Sequence, residues 1–149
     1  MTPDTREHIE AIAPRTRILF VDDSSIHRKI FQKLVAKIGF TDLDLAASGQ
    51  EGVDMFLANP LGYDVVFMDR HMPGMGGAEA TEKIRSAGFL SVPIIDMNTL
   101  AWGDPKQNKE EGKRTWIAKP FSLEALARTI MDWVPKERTT WPVVVNSRL

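Results

Sequence analysis

Three short, unbroken apolar runs constrain the fold of this chain more than any other feature. They cover residues 18–21, 65–68 and 92–95, and they are rich in β-branched and aromatic residues. Apolar runs of this length without alternation are typical of strands that are covered on both faces, as in a parallel sheet. Two weaker runs, residues 43–47 and 116–118, complete a set of five predicted strands.

The segments between these runs carry helical patterns. Apolar residues at helical spacing predict a helix in four of the segments, over about residues 25–38, 49–57, 77–87 and 123–134. Ser24, Ser48 and Ser122 stand at predicted N-caps. The alternation of strands and helices predicts an α/β fold, a doubly wound five-stranded parallel sheet with flanking helices. A further helix, the fourth of five that follow the strands, is expected between the fourth and fifth strands. It is expected to be short or irregular, because residues 103–112 carry no apolar stripe.

The length of the chain suggests a single domain. Of 149 residues, 43% are hydrophobic, which is enough for one compact core. We expect this domain to cover residues 16–135. Residues 1–15 and 136–149 are expected to be N-terminal and C-terminal extensions outside the core.

Composition excludes several classes of function. Without cysteine there is no disulfide, thiolate nucleophile or cysteine-based zinc site. A net charge of −1 argues against a dedicated nucleic-acid binder. No apolar run approaches the roughly 18 residues of a membrane span, and the N-terminus lacks the apolar centre of a signal peptide. We therefore expect a cytoplasmic protein with no membrane partner.

Polar residues follow the predicted strands. In an open α/β sheet, ligand sites lie at the carboxyl ends of the strands, so these residues are expected to gather at one edge. They are Asp22 and Asp23 after the first strand, Asp69 after the third, Asn98 and Thr99 after the fourth and Lys119 after the fifth.

A cluster of three carboxylates requires compensating cations. Two carboxylates 4 Å apart repel by roughly 4 kcal/mol at an effective dielectric near 20. Lys119 supplies one positive charge, and Mg²⁺, which prefers oxygen ligands, would supply two more. A carboxylate can also act as a nucleophile and form an aspartyl phosphate. Each motif alone is weak evidence for a function, since adjacent aspartates often lie in a solvated turn. The joint placement of these residues at the strand ends indicates Mg²⁺-assisted phosphoryl transfer onto Asp69.

The chain resembles a response-regulator receiver domain of two-component signalling over about residues 16–135. The matching stretches are residues 18–24, 65–77 and 116–121, and residues 79–85 are similar to receivers of hybrid histidine kinases. The resemblance implies the flavodoxin-like receiver fold.

The resemblance also implies roles for individual residues. Asp69 matches the phosphoacceptor, and Lys119 matches the lysine that contacts the phosphoryl group, with a cis peptide bond before Pro120. Trp116 matches the aromatic switch, whose ring turns inward on activation. The Mg²⁺ ligands would be the carboxylates of Asp22, Asp23 and Asp69 and the backbone carbonyl of His71.

Two positions depart from the family pattern. The family has Thr or Ser after the fourth strand, whereas this chain has Asn98 there and Thr99 one residue later. A shift of one residue reverses the face of the strand. Asn98 can donate a hydrogen bond through its amide, but it lacks the small hydroxyl that makes room for the aromatic switch. Asp96 is unusual too, because a charge in a buried strand is costly unless it is paired or exposed.

The leading interpretation is a phosphoacceptor receiver domain in a phosphorelay. A histidine kinase or histidine phosphotransfer protein would donate the phosphoryl group to Asp69, and an unidentified downstream protein would receive the signal. Such a domain is not an enzyme beyond its own phosphorylation and dephosphorylation. The alternative is a receiver-like interaction module whose binding does not depend on phosphorylation. A phosphatase is disfavoured, because His71 stands where such enzymes carry an acidic residue.

Overall fold

The computed structural model of the protein describes residues 1–99, 109–110 and 113–137. The strands of the main sheet are β1 (Ile18–Val21), β2 (Leu43–Ala46), β3 (Val65–Asp69), β4 (Ile94–Thr99) and β7 (Trp116–Lys119). The helices are α1 (Pro3–Ile12), α2 (Ser25–Ile38), α3 (Gly49–Ala58), α4 (Gly77–Ser86) and α5 (Leu123–Trp133). The five predicted strands and four predicted helices are confirmed, with ends that differ by at most a few residues.

The main sheet is parallel throughout and has the order β2-β1-β3-β4-β7. Its register aligns the carboxyl ends of the strands. Val21 of β1 is opposite Met68, Asp69 of β3 is opposite Met97, and Thr99 of β4 is opposite Lys119. The residues at and just beyond these ends therefore share one edge of the sheet, which is where the sequence predicted the functional site.

Each face of the sheet packs against its own set of helices. Ile18 and Phe20 of β1 belong to one apolar cluster, which includes residues of α1, α2 and α5. Leu19 and Val21 belong to the other, which includes residues of α3 and α4. Successive residues of a strand point to opposite faces, so an unbroken apolar run covers both faces of the sheet at once.

Local sequence explains where three of the helices begin. The hydroxyl groups of Ser24, Ser48 and Ser122 each accept a hydrogen bond from a backbone N–H three residues later. These contacts satisfy donors that the first turn of a helix leaves unpaired, and they confirm the predicted N-caps. Gly39 ends α2 with a φ of 134°, a backbone conformation that favours glycine.

The N-terminal segment corrects one expectation. Residues 1–15 were expected to lie outside the core, but α1 places Ile9 and Ile12 in the same apolar cluster as β1. The turn after α1 is tied to the end of the domain, because Arg15 donates hydrogen bonds to the carbonyls of Pro135 and Lys136. The prediction failed because α1 is mostly polar, and only Ile9 and Ile12 of its residues are buried.

The region of the predicted fourth helix falls mostly outside the described residues. Lys109–Glu110, at its end, form a short strand β5 that pairs antiparallel with β6 (Lys113–Arg114). These two residues are therefore not helical, whereas residues 103–108 and 111–112 lie outside the description. Most of the C-terminal extension, residues 138–149, also lies outside it. Within the described segments, no helix combines the length and apolarity needed to cross a membrane.

The packing of α1 predicts a loss of stability when its buried side chains are shortened. Ile12 is fully buried, so Ile12→Ala should lower the free energy of unfolding by about 2–5 kcal/mol. Urea denaturation measures this change. Glu10→Ala, at an exposed position of α1, is the matched control. If Ile12→Ala costs no more than the control, α1 is not part of the folded core.

Candidate functional site

Asp22 anchors the site at the end of β1. Its side chain is fully buried, and Oδ1 accepts a hydrogen bond of 2.9 Å from the backbone N–H of Ser24. Its backbone carbonyl accepts a hydrogen bond of 2.9 Å from the guanidinium of Arg28 on α2. These contacts fix the turn between β1 and α2, so the carboxylate of Asp22 is held at the edge of the sheet.

Asp69 is the last residue of β3 and is also buried. Carboxylate oxygens of Asp22, Asp23 and Asp69 all lie within 4.8 Å of one another. Gly77 opens α4 directly beside this strand. A Cβ atom at Gly77 would collide with the backbone carbonyl of Asp69, so the close approach of α4 requires glycine.

Lys119, at the end of β7, joins the two buried aspartates. Its Nζ atom donates to Oδ2 of Asp22 at 2.7 Å and lies 3.0 Å from Oδ1 of Asp69. The peptide bond between Lys119 and Pro120 is cis, as the resemblance implied. The next residue, Phe121, packs edge-on against the rings of Phe20 and Phe31. The loop that carries the lysine is thereby attached to the core.

The electrostatics of the cluster favour a further cation. Burial raises the pKa of Asp69, and the charge of Asp22 raises it further. The hydrogen bond and charge of Lys119 and the backbone N–H of His71 act in the opposite direction. The net direction is upward, because one ammonium does not offset the burial of Asp69 and the neighbouring carboxylate.

The donor set fits a hard divalent cation. All three candidate ligand side chains offer carboxylate oxygens, which are the ligands that Mg²⁺ prefers. Three carboxylates and one ammonium leave a charge of about −2 at the site, which one divalent ion would neutralise. Asp23 is exposed, so the cluster is open to solvent on one side. Asp22, Asp23 and Asp69 are thus candidate metal ligands.

The remaining predicted residues lie along β4 and β7. Asn98 is buried and directly follows Met97, the residue opposite Asp69. The backbone of Thr99 is opposite Lys119, and its side chain lies outside the description. Trp116 begins β7 and is buried, so in this structure its ring is already packed inside. The structure therefore brings Lys119 to the carboxylates and leaves Trp116 three residues away along the strand.

Asp96 occupies a half-buried position in β4, opposite Trp116 and Met68. Burial raises its pKa, while the nearby charges of Arg70 and His71 lower it. The pKa of Asp96 is raised overall, because partial removal from water outweighs these two attractions. From the sequence, a charge at this position was expected to be costly, and Arg70 and His71 offset part of that cost.

Sequence reasoning missed His27, in the first turn of α2. Its Nδ1 atom lies 3.2 Å from Oδ2 of Asp22 and 3.4 Å from Nζ of Lys119. His27 follows Asp22 by five residues, and Ser24 begins a helix between them. The predicted N-cap at Ser24 already places His27 in the first turn of the helix, close to the end of β1. The position of His27 in the sequence does not distinguish it from a histidine that points into solvent.

Comparison with known proteins identifies the family. The family model described as the response regulator receiver domain matches residues 18–131. The chain belongs to this family. Two-component system protein A of Emericella nidulans is 36% identical to this receiver over 131 residues. The match covers 87% of this chain and 19% of the relative, so the chain spans about a fifth of that protein.

Solved receiver structures show the same fold. The receiver domain of the sensor histidine kinase PA1611 from Pseudomonas aeruginosa is 27% identical, with a TM-score of 0.63 over 79% of this chain and 96% of that one. That structure has a magnesium ion coordinated in its active site cleft. A co-crystal structure of the Saccharomyces cerevisiae histidine phosphotransfer protein Ypd1 and the Ssk1 receiver domain also matches. The matching chain of that complex is 27% identical to this protein. The TM-score is 0.61, and the match covers 80% of this chain and 88% of that one.

Family membership defines the general function. The protein is a receiver domain of two-component and phosphorelay signalling. Receiver domains are phosphoacceptor signalling domains and differ from conventional enzymes.

The environment of Asp96 predicts a pH-dependent change in stability. A raised pKa means that folding favours the neutral acid, so this contribution is present below the normal pKa near 4 and is lost as pH rises through the higher folded-state value. Asp96→Asn should therefore raise Tm at pH 7, and the gain should disappear near pH 4. Each 1 kcal/mol corresponds to about 2–4 °C in Tm for a protein near this size.

Thermal denaturation at both pH values measures the effect of Asp96→Asn. Glu82→Gln removes a carboxylate from an exposed position of α4 and is the matched control. An equal gain at pH 4 and pH 7, or an equal gain in the control, would contradict the assigned cause.

Proposed function

We propose that Asp69 accepts a phosphoryl group from a phosphohistidine, with Mg²⁺ held by Asp22, Asp23, Asp69 and the backbone carbonyl of His71. The observation that supports this most directly is the position of Asp69. Its carboxylate is buried, lies 3.0 Å from the Lys119 ammonium and shares a 4.8 Å cluster with two further carboxylates. The groups that we propose as nucleophile, phosphate-binding cation and metal ligands therefore lie close together.

The chemistry is a direct transfer between two side chains. A carboxylate oxygen of Asp69 attacks phosphorus, the phosphorus–nitrogen bond breaks, and the histidine of the donor leaves with the bonding electron pair and takes up a proton. Mg²⁺, when bound, shields the negative charge of the phosphoryl oxygens. Lys119 is already within 3.0 Å of Asp69 and would bind a phosphoryl oxygen as a point charge.

The first turns of α2 offer a surface for the phosphodonor. Ile26 and Ile30 are one turn apart and are 67% and 43% exposed, and α2 begins three residues after Asp22. Exposed isoleucines beside an active site are unusual on a solvated helix and are typical of a protein contact. We propose that a histidine phosphotransfer protein or histidine kinase docks here. We propose that this phosphoryl transfer takes place in the cytoplasm, because a histidine kinase takes its phosphoryl group from ATP.

The response to phosphorylation would begin at β4 and β7. We propose that the Asn98 amide donates to the phosphoryl group, because Asn98 is buried next to the residue opposite Asp69. Thr99, whose backbone is opposite Lys119, is the second candidate donor. Trp116 is buried on β7, the edge strand that pairs with β4, and would transmit the change to a downstream protein.

Labelling with a small phosphodonor tests the phosphoacceptor. Incubation with Mg²⁺ and acetyl phosphate should increase the mass by about 80 Da, the mass of one phosphoryl group. Asp69→Ala should remain unmodified, and chelation of the metal should reduce the labelling of the unsubstituted protein. Mass spectrometry under acidic conditions measures the product. An unmodified protein, under conditions that label a control receiver, would exclude the proposal.

The donor surface predicts a selective loss of transfer. Replacing both Ile26 and Ile30 by alanine should slow phosphoryl transfer from a histidine phosphotransfer protein by about tenfold, the equivalent of roughly 1.4 kcal/mol of lost contact. Labelling by acetyl phosphate, which uses no protein surface, should persist. Radiolabel transfer assays measure both rates.

Leu61→Ala is the matched control for this surface, because Leu61 is equally exposed, at 69%, but lies outside α2. Equal slowing by Leu61→Ala, or a parallel loss of acetyl phosphate labelling in the α2 variant, would show that α2 is not a specific docking surface.

A further inference from the structure

His27 lies beside two oppositely charged residues of the site, Asp22 and Lys119. Its Nδ1 atom lies 3.4 Å from the Lys119 ammonium and 3.2 Å from Oδ2 of Asp22. The imidazole is 41% exposed, so it reaches the cluster from the solvent side.

The surroundings of Lys119 define what the imidazole can do. An ammonium group has three N–H donors, and three polar atoms of the described residues surround Nζ. They are Oδ2 of Asp22 at 2.7 Å, Oδ1 of Asp69 at 3.0 Å and Nδ1 of His27 at 3.4 Å. The first two are carboxylates that a metal ion and a phosphoryl group would also use. The third is neither a metal ligand candidate nor the phosphoacceptor.

We propose that His27 is a positioning residue that holds the Lys119 ammonium in place for the phosphoryl group. This role requires the tautomer with the ring hydrogen on Nε2, in which Nδ1 accepts a hydrogen bond from Lys119. If Asp22 bound a metal ion and Asp69 were phosphorylated to the acyl phosphate, both carboxylates would hold the ammonium less strongly. His27 keeps its contact through this change, because it takes no part in either reaction.

The fold fixes the backbone that carries the imidazole. His27 lies three residues after Ser24, whose hydroxyl accepts a hydrogen bond from the His27 backbone N–H. The neighbouring Arg28 is tied to the carbonyl of Asp22 at 2.9 Å. The backbone that carries the imidazole is therefore fixed to the same strand end as the aspartate. Partners that orient the groups of a metal or phosphate site typically change affinity or rate by about 10–100-fold when removed.

This inference rests on the proposed function, and it predicts a pattern across two substitutions. His27→Ala removes the acceptor and should slow labelling by Mg²⁺ and acetyl phosphate by about tenfold. His27→Asn places an amide oxygen close to the position of Nδ1, so the rate should stay within about threefold of the unsubstituted protein. Lys29→Ala, at an exposed position of the same helix, should leave the rate unchanged.

A direct readout follows the lysine without any phosphoryl transfer. An ammonium held by three acceptors exchanges its hydrogens slowly, and a ¹⁵N-detected NMR signal of Lys119 reports this order. The signal should be present in the unsubstituted protein and in His27→Asn, and it should broaden in His27→Ala. A lysine signal that is unchanged in His27→Ala would overturn the proposal.

The labelling results separate the remaining outcomes. Equal slowing in His27→Ala and His27→Asn would assign His27 a structural role in α2 and overturn the proposal, as would an unchanged rate in His27→Ala. If the unsubstituted protein is not labelled at all, the proposed function fails. The NMR signal then still decides whether His27 holds the lysine.

Discussion

The ion cluster of Asp22, Asp69 and Lys119 is the interaction around which the functional edge of this protein is organised. Two buried carboxylates repel each other, and burial alone raises the pKa of Asp69. The Lys119 ammonium, at 2.7 Å and 3.0 Å from them, offsets part of this cost. The negative charge that remains at the site is the charge that the proposed divalent cation would offset.

A rigid scaffold is needed to hold like charges together. The cluster residues come from three strand ends, and β1 and β3 are packed on each face by a separate apolar cluster. The parallel register sets which residues meet, and the aromatic contacts of Phe121 attach the lysine loop to the core. Hydrophobic burial over the whole sheet thus stabilises an arrangement that local electrostatics disfavours.

Much of the architecture could be predicted because its signals are local. Apolar runs marked the strands, and serine caps marked the beginnings of α2, α3 and α5. The placement of α1 could not be predicted in this way, since two buried isoleucines in a polar helix form no continuous stripe. The contact of His27 also escaped prediction, because it depends on how the first turn of α2 is oriented against Lys119.

The sequence by itself determined the five-stranded parallel sheet and the presence of Asp22, Asp69 and Lys119 at its carboxyl edge. The unbroken apolar runs and the rule for ligand sites in open sheets require only the order of residues along the chain. Tertiary structure decided that α1 joins the core, that Asn98 and Trp116 are buried and that His27 contacts the lysine. These features depend on distances between segments far apart in sequence, which only the packed fold sets.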